Sequence, residues 1–204
     1  MLKKQEIKFL GITLVGIAVA TLGVNASAHT RLEVPTVTEN IRTTNNVVIG
    51  HGCGESNNVI GTSVVFPDGI DSTITVDGQP HAGALTDFVD NWGNSIQKNY
   101  SRAIFNFEDE KTDANSNVVG FWAGGGNSLP HQLNGYIPFR VGAVIINKNS
   151  CAASVKFYVS IADICEITPV SGFNENTVNL WTHNTLGTPY DRVGSTTDDG
   201  PAFL

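Results

Sequence analysis

The residue with most chemical promise in this chain is a histidine that directly follows a small-residue tripeptide. In "VNASAHTRLEVP" (residues 24 to 35), Ala26-Ser27-Ala28 stands immediately before His29. Lys3, Lys4 and Lys8 make a basic start and Phe9 to Val24 is an apolar run of 16 residues. With the small residues that follow, residues 1–28 read as a cleaved secretory signal peptide. The run falls short of the roughly 18 residues expected of a membrane-spanning helix. Cleavage after Ala28 makes His29 a first residue, whose α-amine and ring Nδ1 can close a chelate ring on one metal. Nitrogen donors in a square-planar set suit Cu(II), which heads the divalent affinity order. An α-amine with a pKa of about 8 also yields its proton to a metal near neutral pH.

One residue does not complete a metal site. His51 and Glu55 lie in "GHGCGESNN", a Gly-rich turn between two apolar runs, where a loop can carry function. Glu55 offers an oxygen and His51 a further nitrogen. His81, His131 and His183 have no partner at metal-ligand spacing and read as surface or satisfied polar residues. The chain contains no HExxH, CxxC, P-loop or GxSxG pattern, so zinc-protease, nucleotide and common hydrolase readings have no footing.

The elements that must position these residues read as strands. Runs such as "NVVIG", "STITVDG", "SRAIFNFED", "GYIPFRVGAVIINKN" and "ASVKFYVSIAD" are rich in Val, Ile and aromatic residues and are punctuated by Gly, Asn, Asp and Pro. This pattern predicts an all-β antiparallel sandwich or barrel with little helix. "EDEKTDANSN" (108–117) reads as a solvated hairpin loop. The chain left after cleavage is long enough for one domain with its own core. We expect the sandwich to span 29–167 and a polar, turn-rich extension to fill 168–204, its return to the sheet left open.

The formal charge of −7 becomes −9 once a signal with three lysines and one glutamate is removed. Nucleic-acid affinity rests largely on Lys and Arg neutralising phosphate, so a nucleic-acid partner is not expected. Of Cys53, Cys151 and Cys165, one thiol is left over whichever pair joins in the oxidising surroundings of an exported protein.

Four segments in order resemble the YcnI-like family of exported bacterial copper-binding domains. They are "IGHGCGESNNVIGTSVVFPDG" (49–69), "NWGNSIQ" (91–97), "GFWAGGGNSLPHQLNGYIPFR" (120–140) and "VIINKNSCAASVKFYVSIAD" (144–163). The resemblance implies an immunoglobulin-like β-sandwich holding one copper through the first residue's amine and imidazole, a carboxylate from the early turn and a nearby tryptophan. Carried over, His29 is the chelating ligand and Glu55 the carboxylate. The family has a tryptophan in the strand after its late cysteine. That stretch here reads "VKFYVS", which leaves Tyr158 in the nearest place and is a departure from the family. Trp92 and Trp122 match other family positions and read as core aromatics.

The resemblance also implies a Cys53–Cys151 disulfide, with Cys165 as the odd, buried thiol or a soft Cu(I) ligand. The rival Cys151–Cys165 requires the chain to double back if 153–161 is one extended strand, about 30 Å long at about 3.3 Å per residue. Function by resemblance is copper trafficking, uptake or buffering in the periplasm or outside the cell, without catalysis, alongside other copper-handling proteins. Two other readings stay open. One is a copper-dependent oxidative enzyme similar to lytic polysaccharide monooxygenases, with His51, His131 or His183 completing a three-nitrogen brace. The other is a sandwich for adhesion in which His29 is incidental.

Overall fold

The apolar runs become strands because their inward residues alternate. Gly135, Ile137, Phe139 and Val141 are buried while Tyr136, Pro138 and Arg140 between them are more exposed, the period-two signature of a strand with one face on a core. The computed structural model describes residues 30–50, 53, 57–70, 72–166 and 178–181, the last three of these by backbone alone. His29, His51, Glu55 and His183 lie outside the described residues.

In chain order the strands are β1 (Arg31–Leu32), β2 (Thr43–Ile49), β3 (Val59–Val65), β4 (Ile74–Val76), β5 (Gln79–His81), β6 (Ile96–Lys98), β7 (Phe107–Thr112), β8 (Val118–Leu129), β9 (Gly135–Val141), β10 (Ser160–Ile164) and β11 (Val178–Trp181). A four-stranded sheet runs β1-β2-β9-β6, a five-stranded sheet runs β11-β10-β3-β8-β7, and β4 with β5 forms a small separate ribbon. All these pairings are antiparallel. A single 3-10 turn, Leu85–Asp87, is the helix among the described residues. The architecture is an all-β antiparallel sandwich. β11 brings part of the C-terminal extension back to the edge of the larger sheet.

The core fills the space between the two sheets. Phe121 of β8 and Phe139 of β9 come from opposite sheets and meet with ring centroids 5.3 Å apart. Phe66 packs on Phe139 at 5.8 Å. Trp92 stacks on Phe157 at 3.9 Å and donates its indole N–H to the Pro67 carbonyl at 2.6 Å. That bond satisfies the one polar atom of a ring that is 6% exposed. Trp122, by contrast, is not a core residue: it is 42% exposed on the outer face of β8, between the buried Phe121 and Ala123. Adjacent strand residues point to opposite faces, so one of this aromatic pair had to face outward.

Two further expectations are corrected. The stretch 108–117 is not all loop, because its first half lies in β7, the edge strand of the larger sheet. The turn itself is tight, with Asp113 accepting hydrogen bonds from the Asn115 and Asn117 amides at 2.8 Å each. Charged side chains along such an edge discourage pairing with another chain. The disulfide joins Cys53 to Cys165, not to Cys151, which is exposed and free. The antiparallel register of β3 and β10 explains why. Ile164 sits opposite Gly61 and Ser160 opposite Val65, so the chain just beyond β10 reaches the end of the sheet where Cys53 precedes β3. Cys151 precedes β10 and belongs to the far end.

Candidate metal centre

The N-terminal segment enters this sandwich through a polar bridge between its sheets. Leu32 lies opposite Val47, and Arg31 opposite Val48, in the four-stranded sheet. One residue earlier, Thr30 turns inward with no exposed surface. Its hydroxyl donates to Asp163 Oδ2 of the five-stranded sheet at 2.5 Å, and Thr62 Oγ1 donates to Asp163 Oδ1 at 2.9 Å. Asp163 is itself fully buried. A carboxylate out of water requires hydrogen-bond donors of this kind.

Three chain segments therefore meet at one end of the sandwich. The first is the N-terminal segment, where Thr30 is the neighbour of His29. The second leaves β2 at Ile49 and carries His51, Cys53 and Glu55. The third is the end of β10, with Asp163 two residues before Cys165. The disulfide binds the second to the third with Cα atoms 5.5 Å apart, and the Thr30–Asp163 bond holds the first to the third.

Tyr158 is not brought to this meeting point. Burial alternates along Phe157, Val159, Ile161 and Asp163, which face inward, so Tyr158 lies on the outer face. It is also five positions from Asp163, about 16 Å along an extended chain. Its ring lies beneath Lys156 Nζ, 4.9 Å from the centroid. Among the described residues no group of three or more His, Cys, Asp or Glu side chains is placed to hold a metal. The three remaining ligand candidates, His29, His51 and Glu55, lie outside those residues. Asp163 and Thr30 were not singled out from sequence. The available signal was an aspartate at an inward position of the otherwise apolar "FYVSIADI" run.

Other polar clusters serve local structure. His81 Nε2 donates to Asp87 Oδ2 at 2.9 Å and stands edge-on to Phe88 at 4.8 Å. That hydrogen bond holds the exposed Asp87 carboxyl below its ordinary value of 3.8, with the Ala84 amide donating to the same oxygen. A depressed carboxyl stabilises the fold above its unfolded pKa, and the contribution is lost as pH falls through the lower folded value. A carboxyl-carbon NMR titration should place the Asp87 midpoint below 3.8, and His81→Ala should move it upward; an unmoved midpoint contradicts the assignment. A groove of about 260 Å³ at the other end of the molecule includes Asp68, Asp90, Asn91, Asp113 and Asn117 in its lining. Its side chains build turns: Asn91 bridges the Ala143 carbonyl and the Ile145 amide, and Asn117 donates to Asp113.

No protein-family profile and no curated protein sequence matches the chain. Among solved structures the chain is similar to an uncharacterized protein from Nocardia farcinica, at 10% sequence identity and a TM-score of 0.51 over 87% of this chain and 96% of the other. The crystal structure of that protein reveals an immunoglobulin-like fold. At this identity the likeness speaks for architecture alone, and the chain is an all-β antiparallel sandwich of the immunoglobulin-like kind.

Proposed function

We propose that this chain is an exported copper-binding protein, cut after Ala28, that holds one copper through the amine and imidazole of His29 and the carboxylate of Glu55. His51 lies in the same turn as Glu55 and is the next candidate ligand. The role is that of a carrier or buffer in the periplasm or outside the cell, without catalysis, exchanging copper with other copper-handling proteins. The observation that carries this reading is the meeting of the N-terminal segment, the turn after β2 and the end of β10, through the Thr30–Asp163 bond and the Cys53–Cys165 disulfide. A chelating terminus needs a further donor close by and a scaffold that holds both, and these two links supply the scaffold. The disulfide is also in keeping with export into an oxidising compartment.

Cu(II) titration of protein beginning at His29 tests the reading. The expected result is tight one-to-one binding that Glu55→Gln weakens by about tenfold or more. Binding no tighter than that of an unrelated exported protein of similar charge would overturn it and favour an interaction module.

A further inference from the structure

We infer that the outer face of the larger sheet binds a neutral polysaccharide, with Trp122 as the platform on which a sugar ring stacks. The site is built from β3, β7, β8 and β10 and is independent of the copper reading above. Trp122 is 42% exposed and, among the described residues, has no hydrogen bond or ring contact. The Trp92 indole, by contrast, is buried and bonded to Pro67. Phe107, 58% exposed, stands opposite Gly124. It is thus a diagonal neighbour of Trp122 on the same face, about 7–8 Å away. Across the sheet, Trp122 stands in register between Asp109 of β7 and Ser63 of β3. Alternation turns all three outward, since Phe121, Ala123 and Val64 beside them are buried. With strands about 4.8 Å apart, Asp109 and Ser63 lie about 10 Å from each other with the indole between them. Asp109 Oδ1 accepts the Glu110 amide at 2.8 Å. Among the described residues, Asp109 Oδ2, the Ser63 hydroxyl and the Trp122 indole N–H have no partner. Gly120 and Gly124, the next outward positions on β8, place no side chain beside the indole along its strand. A Cβ on Gly120 would lie 2.2 Å from the Val64 carbonyl oxygen and one on Gly124 3.3 Å from the Gly61 Cα, so the bare shelf is set by the backbone.

The chemistry of this row matches a pyranose. Its axial C–H hydrogens carry partial positive charge and meet the negative face of an indole, while its equatorial hydroxyls reach donors and acceptors at the sides. One ring with a hydrogen bond of about 2.8 Å at each edge fills a gap of about 10 Å. Charge selects the same class. Asp109 and Lys111 are the charged residues among the outward positions of these four strands, and they cancel, on a chain of net charge −7. A polyanion or a basic peptide finds no field of opposite sign here. A protein partner would meet glycine and serine where an interface core carries large side chains. An extended β-1,4-linked chain of equatorially substituted sugars offers a flat face that reaches from Trp122 to Phe107.

The test is affinity electrophoresis of the metal-free protein in gels carrying hydroxyethylcellulose, galactomannan or sodium polygalacturonate, with pull-down on insoluble chitin beside it. Trp122→Ala, Trp122→Phe and Ser63→Ala are compared with the parent after a check by thermal melting; neither position belongs to the core. The parent is expected to bind at least one of the three neutral polymers and to run unretarded in polygalacturonate. Trp122→Ala is expected to weaken that binding by about tenfold or more and Ser63→Ala by about threefold, while Trp122→Phe keeps most of it. Absence of binding to every neutral polymer, binding that Trp122→Ala leaves unchanged, or equal retardation by polygalacturonate overturns the inference. Sedimentation velocity without polymer is read in parallel. A dimer that Trp122→Ala dissolves, with no polymer bound, assigns the face to a second copy of the chain and also overturns it.

Discussion

Replacing Cys53 and Cys165 together by alanine is expected to lower unfolding stability by about 2–5 kcal/mol, whereas Cys151→Ala leaves it nearly unchanged. The bridge spans 112 residues of sequence, and in the chain-entropy model closing a loop of about 100 residues removes about 4.7 kcal/mol of denatured-state freedom. Cys53 is buried and Cys165 packs against the core, so the loss of their sulfurs adds a packing cost to the entropic one. Cys151 is exposed and outside the bridge, and its replacement leaves the loop closed. Urea unfolding of the three proteins measures the difference. Peptide mapping of the oxidised parent should yield a 53–165 cross-link and one alkylatable thiol at Cys151; a 53–151 cross-link contradicts the register argument. On the copper reading the double variant also loses affinity, because the turn carrying Glu55 is no longer fastened to β10.

Glu108→Ala is expected to cost about 3–5 kcal/mol, the range for breaking a buried ion pair by removing one partner. Lys98 Nζ donates to Glu108 Oε2 at 2.6 Å with side chains only 4% and 8% exposed. The pair joins β6 of the smaller sheet to β7 of the larger one. Glu108 Oε1 also accepts the Ser101 amide at 2.9 Å, and Lys98 donates to the Asn99 carbonyl. Truncating Glu108 leaves an ammonium facing the sandwich with its main partner gone. Replacing both members, as Lys98→Met with Glu108→Leu, is expected to be near neutral or stabilising, because each ion's desolvation is relieved along with the lost attraction. Denaturant midpoints of the single and double variants separate the two cases. A single-variant loss below about 1 kcal/mol would mean that the pair behaves as a solvated one.

These contacts mark where legibility in sequence stops. The strand character of "GYIPFRV" and "VIGTSVV" was readable because alternation is local, and the all-β sandwich followed from it. Pairing between distant segments was not, since it depends on register. Cys165 joins Cys53 because β10 runs antiparallel to β3 and ends beside its start. The expected Cys53–Cys151 pairing came from the family resemblance, which says nothing of the register of β10 on β3. Trp122 read as core because it matches a family position, and only the partnership of Phe121 with Phe139 decides which of the two neighbours faces inward. The Thr30–Asp163 bond spans 133 residues, so no local pattern announces it. His29 stood out from the small-residue tripeptide before it, and it lies outside the described residues.

The most direct test of the copper assignment compares protein beginning at His29 with protein carrying one alanine before it, by Cu(II) titration and electron paramagnetic resonance. The added residue moves the α-amine away from the imidazole and leaves every side chain of the sandwich in place. Tight one-to-one binding with a nitrogen-rich spectrum in the first and its loss in the second is the expected result. Equal binding by both would mean that the terminal amine is not a ligand, and would contradict the assignment.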